Sequence, residues 1–250
     1  MYFANRAWVE DAPANAGFEF HTADETKEEE AQKPTLGFVM KKVFASPAMW
    51  LIAFSSMCIG MVRNGVDDWW ARYMATVFHI DVKQLGTFVP YQIAAWAMPF
   101  AAIVGGLAAG NASDRLFGAR RAPVIFFAFV GQALCLVALW RGLYSAWVGA
   151  LALVAISFFI QSAHSMVGGA ASMDFGGKKA VATAAGLFDG AQYLAGAIMA
   201  ILLGALIDHY RAVHPGFEYR VWPLAPLPFA LVGALLISRL WNVVPGRRAH

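Results

Sequence analysis

Charge is what this 250-residue chain has least of: Asp, Glu, Lys and Arg make up 14% of it, against about a quarter in ordinary globular domains. With 59% hydrophobic residues and a mean hydropathy of +0.54, a water-soluble fold could not bury the apolar surface that remains. The same figures exclude a disordered chain, and 11 prolines are too few for a collagen-like one. The only cysteines, Cys58 and Cys135, both lie in apolar runs, which excludes a disulfide-stapled scaffold. A formal charge of +3 makes no case for nucleic acid. No HExxH, GxSxG, P-loop or CxxC occurs, and the Gly-Gly-Lys-Lys at 176–179 lacks the strand before it and the Ser or Thr after it that a phosphate cradle needs. Nothing therefore marks an enzyme, a metal cluster or a cofactor.

Uncharged apolar sequence is what the chain has in quantity. A bilayer core about 30 Å thick takes roughly 20 apolar residues of helix and tolerates few unpaired ions. Runs of that kind occupy 43–62, 84–113, 122–140, 142–173, 180–207 and 221–238. The first meets Arg63 and resumes at Trp69 and Trp70; the fifth carries one acid, Asp189. Each run is too long and too evenly apolar for a sheet strand. The sequence thus predicts an all-α, integral membrane bundle of six helices over 47–240. Gly105, Gly106 and Gly110, and again Gly186, Gly190 and Gly196, allow helix backbones to approach closely in lipid.

Residues 1–46 differ in kind. They hold half of the 16 acids, and 10–33 has few aliphatics and a run of three Glu, so the segment reads as a polar linker or tail. No apolar stretch of the right length follows Met1, so the first span is expected to act as its own insertion signal. Basic residues resist translocation. With six spans, Arg6, Lys27, Lys33, Lys41, Lys42, Arg115, Arg120, Arg121, Lys178, Lys179, Arg239, Arg247 and Arg248 fall on one side. Only Arg72, Lys83, Arg141, Arg211 and Arg220 fall on the other. Both termini, including the 241–250 tail, are expected in the cytoplasm.

Arg63 is the most informative residue, because a guanidinium within a span costs several kcal/mol unless it meets water, an acid or an anion. Its fork of donors fits phosphate or carboxylate oxygens. Two readings stand: a substrate-facing cation, or one half of an ion pair with Asp67 or Asp68. Asp189, with Gln192 and Tyr193 close by on one helix, is either a titrating group or a carboxylate bonded between helices. His164 either meets an anion or relays protons, or packs between helices. The loop at 111–121 suits gating: Asp114 can pair with a neighbouring helix end, Gly118 permits a tight turn, and Arg115, Arg120 and Arg121 anchor to the cytoplasmic surface. Topology alone would also account for these arginines.

Three stretches resemble a known family. The loop Gly110-x-x-x-Asp114-Arg115-x-x-Gly118-x-Arg120-Arg121 resembles the signature loop of the major facilitator superfamily, in the form found between helices eight and nine of its twelve. Arg63-Asn64-Gly65-Val66-Asp67-Asp68-Trp69 is similar to helix seven of the organophosphate:phosphate antiporters, whose pattern is Arg-x-Gly-x-x-Asp-Trp. Lys178-Lys179-Ala180-x-x-Thr183-Ala184-x-Gly186, leading to Asp189, Gly190 and Tyr193, resembles the start of helix eleven. The resemblance implies half of a twelve-helix fold, the C-terminal six-helix half, with 1–33 corresponding to the loop between halves. It implies that Arg63 grips the phosphate of an organic phosphate ester with a second arginine from helix one, in an N-terminal half that would be the partner. It also implies that Tyr193 faces the central cavity, with Ser162 or His164 on the organic part of the substrate. The functions implied are transport by alternating access, a non-transporting sugar-phosphate sensor, or a fragment that works only with its other half. One departure stands out: the acid that the family has fifteen positions before Asp114 is replaced here by Pro99.

Overall fold

The structure, a computed structural model, describes residues 47–242, apart from the side chains of 169–181. The expected linker over 1–46 and most of the 241–250 tail lie outside the described residues. Within them the chain is helical: α1 Pro47–Asp67, α2 Trp70–Val77, α3 Val89–Leu116, α4 Arg121–Arg141, α5 Ala146–Ser165, α6 Ser172–Val213 and α7 Leu227–Ser238. No strand occurs among the described residues, so the all-α expectation holds.

Five stretches are long and apolar enough to cross a membrane: Pro47–Val77, Val89–Leu116, Arg121–Arg141, Ala146–Gly168 and Ala182–Val213. The sixth is present among the described residues but shorter than the expected 221–238. Its helix, α7, has 12 residues, or about 18 Å at 1.5 Å per residue. Pro223, Pro226 and Pro228 account for the loss. A proline inside a helix removes a donor and clashes with the preceding turn, whereas one in the first turn is tolerated. Residues 218–226 therefore form a 3-10 turn, Glu218–Val221, and further turns. α7 begins with Pro228 in its first turn.

The first span is also interrupted. α1 stops at Asp67 and α2 starts at Trp70, although Asp68 N–H still donates to Asn64 O at 3.1 Å and Tyr73 N–H to Trp69 O at 2.9 Å. Arg63 thus lies in the last turn before a break.

Helices α1 and α6 run parallel in a fixed register. The Ser56 hydroxyl donates to Phe188 O at 2.8 Å, Gly60 lies on the backbone of Gln192, and Gly196 lies on the Asn64 side chain. Successive matches four residues apart on both helices leave room only for small residues. A Cβ on Gly60 would overlap the Gln192 carbonyl, and one on Gly196 would sit 2.5 Å from Asn64 Cγ. A second parallel pair, α3 with α5, repeats the device: Gly105 lies on the Phe158 carbonyl, and the Ser162 hydroxyl faces Gly105 O at 3.0 Å and Phe158 O at 2.8 Å. Lipid tails offer no hydrophobic drive between helices, so these close approaches and hydrogen bonds hold the pairs together. Gly186 and Gly190, expected to do the same, face open space.

Helix α4 packs against α5 and α7, and α7 against α1. The Trp222 indole donates to Gly65 O at 2.7 Å and the Tyr73 hydroxyl to Leu143 O at 2.6 Å, both buried. These two bonds seal the end of the bundle where α1 and α2 finish, with the Tyr73 ring 4.8 Å from that of Trp222. The chain reverses between His164 and Gln192. His164 Nδ1 lies 3.0 Å from Gln192 Oε1, whereas 28 residues of unbroken helix would separate them by about 42 Å.

Candidate functional site

The α1/α6 register brings the two residues of most chemical interest together. Arg63 is half-buried, and its Cζ lies 5.2 Å from the ring centroid of Tyr193. Tyr193 is 66% exposed, so the pair opens away from the core of the bundle. Among the described residues no carboxylate comes within salt-bridge distance of Arg63; Asp67 and Asp68 are both exposed. The ion-pair reading of Arg63 therefore does not describe this geometry. A guanidinium stacked on a ring gains roughly 0.5–2 kcal/mol and keeps its N–H edges available for oxygen acceptors.

Next to this pair lies a polar cluster. His164 on α5 meets Gln192 on α6, one residue from Tyr193, with Nδ1 within hydrogen-bond distance of Oε1. Gln192 is 1% exposed and its Nε2 has no partner among the described residues; nor do Asn64 Oδ1 and Asp189 Oδ1. A Cβ on Gly168 would sit 3.8 Å from Asp189 Oδ1, placing that acid where α5 passes α6. Unpartnered buried polar atoms of this kind cost about 1–3 kcal/mol each, so three in one region mark a place that water or a ligand completes. Ser162 stands apart from the cluster. It is buried, and its hydroxyl is committed to the α3/α5 contact.

The loop at the other end of α3 closes on itself. Arg121 Nη1 donates to Asp114 Oδ1 at 2.7 Å and to Ser113 Oγ at 2.9 Å, joining the end of α3 to the start of α4. Gly118 at φ 57° makes the turn, and Ala119 at φ 64° follows in the same left-handed region, where a side chain is strained. Arg115 lies in the last turn of α3, where a cation favours the helix dipole. Asp114 is 64% exposed, which limits the bridge to about 0.2–1 kcal/mol. The expected result of a double-mutant cycle on Asp114→Asn and Arg121→Gln, read by thermal unfolding, is a coupling in that range; zero coupling would show that the bridge to Asp114 does not hold Arg121.

Sequence reasoning missed two features here. Asn64 carries a buried polar atom, signalled only by its place beside Arg63. Glu218 is 8% exposed, and an acid flanked by Phe217 and Tyr219 could have hinted at burial.

The described residues thus form a membrane helix bundle with small-residue seams, an interrupted first span and an arginine with no carboxylate within salt-bridge distance. No family model matches the chain. It is 28% identical over 224 residues to a probable hexose phosphate transport protein of Chlamydia trachomatis, covering 88% of this chain and 46% of that one. It is 29% identical over 228 residues to the glycerol-3-phosphate transporter of Bacillus subtilis, covering 90% and 47%. It is also 27% identical over 172 residues to the membrane sensor protein UhpC of Escherichia coli, covering 68% and 38%. The chain is similar to these hexose phosphate and glycerol-3-phosphate transporters and to this sensor, relatives within the major facilitator superfamily, and its apolar helices make it an integral membrane protein. It spans about half the length of the curated relatives it matches.

Proposed function

We propose that the chain is the C-terminal lobe of a secondary transporter that moves glycerol phosphate or sugar phosphates by alternating access, in exchange for phosphate. The observation that carries this reading is Arg63: a cation within a span, stacked on Tyr193 and with no carboxylate within salt-bridge distance among the described residues. A phosphate arriving at that site supplies the direct ion pair that Arg63 otherwise lacks. The names of the hexose phosphate and glycerol-3-phosphate transporters it resembles agree with that chemistry.

In this reading a second six-helix lobe completes the cavity and brings a second arginine. Helix α3, the least buried of the spans, supports such a lobe, with Trp96, Phe100, Ile103 and Leu107 all exposed along it. The two lobes rock about a site near the midplane. Arg63 takes phosphate oxygens, Tyr193 orients the guanidinium and borders the organic part, and the His164–Gln192 pair offers polar contacts beside it. Outward return of the empty site would leave the arginines unneutralised, so a second anion, inorganic phosphate, makes the return journey. The Asp114–Arg121 bridge would fix α3 to α4 as one rigid piece during that movement.

The likeness to UhpC favours a second reading, a sensor that binds a phosphate ester without moving it. Counterflow separates the two. Vesicles containing the assembled carrier and loaded with phosphate should accumulate labelled glycerol phosphate; binding with no accumulation would establish the sensor. Residues 1–46 in this account form a cytoplasmic linker, 47–240 the bundle and 241–250 a cytoplasmic tail. A cysteine at His214 should then react with an impermeant thiol reagent from outside intact cells, and one at Leu116 only after permeabilisation. The opposite pattern would invert the topology.

A further inference from the structure

The end of the bundle opposite the Asp114–Arg121 loop carries a cavity of about 560 Å³ in which Arg63 takes no part. That volume lies within the roughly 300–1,000 Å³ of small-molecule pockets. Trp69, Arg72 and Thr76 from the region of α2, Asp208 and Arg211 from the end of α6, and Tyr219 border it. Helix α6 links the two places. Tyr193, Gly204, Asp208 and Arg211 recur at spacings of eleven, four and three residues on one face, which puts the near edge of the cavity about 16 Å, and its charged groups about 22–27 Å, along the helix from Tyr193.

The charges in the cavity are not equivalent. Arg211 is held by two acids: its Nη1 lies 3.1 Å from Asp208 Oδ1 and its Nε 3.6 Å from Glu218 Oε1. Arg72 has no such partner within salt-bridge distance among the described residues; it stacks over Trp69 with Cζ 5.1 Å from the ring. One unneutralised guanidinium, a carboxylate and a hydroxyl from Thr76 therefore meet in one space beside aromatic rings. A bare anion would use only the first of these. A polyhydroxylated phosphate ester uses all of them, with the phosphate on Arg72 and hydroxyl groups donating to Asp208 and Thr76.

The geometry points to a second, outer docking site for sugar phosphate at this mouth of the bundle, occupied before the ester reaches Arg63. The inference rests on the phosphate-ester reading for the substrate class, but the site lies wholly within this chain and is tested on it alone. In phosphatidylcholine nanodiscs, the Arg63→Gln chain should still bind glucose 6-phosphate in calorimetric titration. Adding Arg72→Gln should weaken that binding tenfold or more, with Arg72→Lys recovering part of it. Asp208→Asn should lower affinity for glucose 6-phosphate relative to inorganic phosphate. Arg72 and Asp208 are exposed, so these variants should fold as the parent does; matched thermal unfolding would verify it. Unchanged affinity in Arg72→Gln, or no binding of glucose 6-phosphate by the Arg63→Gln chain, overturns the outer site. The titration repeated with phosphatidylglycerol covers one further occupant: if the anionic lipid protects Arg72 and glucose 6-phosphate never binds, the cavity holds a lipid headgroup and the proposal fails. None of these results depends on transport, whereas the role of Arg63 is judged by transport in the assembled carrier, so either idea can fail without the other.

Discussion

Arg63→Lys will weaken phosphate-ester binding by the assembled carrier about ten- to a hundredfold while leaving membrane insertion unchanged. The substitution keeps the positive charge and removes two things that the geometry provides. One is the planar fork, which can meet two phosphate oxygens at once where an ammonium acts as a point charge. The other is the stack of the guanidinium on Tyr193, 5.2 Å from the ring centroid. Hydrogen bonds to charged groups are worth about 1.5–3 kcal/mol, and each 1.4 kcal/mol is about tenfold in affinity. Tyr193→Leu should show the smaller part of the same effect, since it removes the stack and leaves the fork. Substrate titration of both variants in reconstituted vesicles reads the two contributions. Equal affinity in wild type and Arg63→Lys would reduce Arg63 to a helix-packing cation.

The second large effect concerns the seam on which that site depends. Gly60→Ala is expected to destabilise the bundle by about 1–3 kcal/mol or more, since no rotamer change can relieve an overlap with backbone. The added Cβ would meet the carbonyl, Cα and carbonyl carbon of Gln192, forcing α1 and α6 apart. Separation there would also pull Gln192 from His164 and Tyr193 from Arg63, so loss of binding should accompany loss of stability. Gly190→Ala, on the facing helix α6 but directed to open space, should stay within about 0.5 kcal/mol of the parent. Thermal unfolding in detergent compares them. Equal stability of the two variants would mean that the α1/α6 seam is looser than described.

Much of this architecture is legible in the sequence because the bilayer restricts a spanning chain to so few forms. Uncharged runs located the first five spans, and a guanidinium within one of them drew attention to Arg63 before any coordinates. Failures occurred where local chemistry overrides hydropathy. Apolar sequence over 221–238 reads as a span, yet Pro223, Pro226 and Pro228 confine its helix to Leu227–Ser238. Glycine spacing pointed to close packing at Gly105 and Gly196, which occurs, and at Gly186 and Gly190, which face open space. Composition shows which residues are small but not which face of a helix meets a neighbour. The relation of Arg63 to Tyr193 spans 130 residues of chain, and only the α1/α6 register creates it. Ser162 was the opposite case: a polar residue beside His164 in sequence whose hydroxyl is turned to the carbonyls of Gly105 and Phe158.

Contact between the arginine and the phosphate can be measured directly. Solid-state NMR on the assembled carrier, with 15N-labelled arginine and bound glycerol phosphate, reports 15N–31P dipolar coupling. The account predicts a coupling that falls in Arg63→Lys to the share contributed by the second arginine, and stays at full strength in Arg115→Lys, which alters an arginine at the loop end of α3. A coupling that survives Arg63→Lys unchanged, or none at all in a wild-type carrier saturated with ligand, would contradict it.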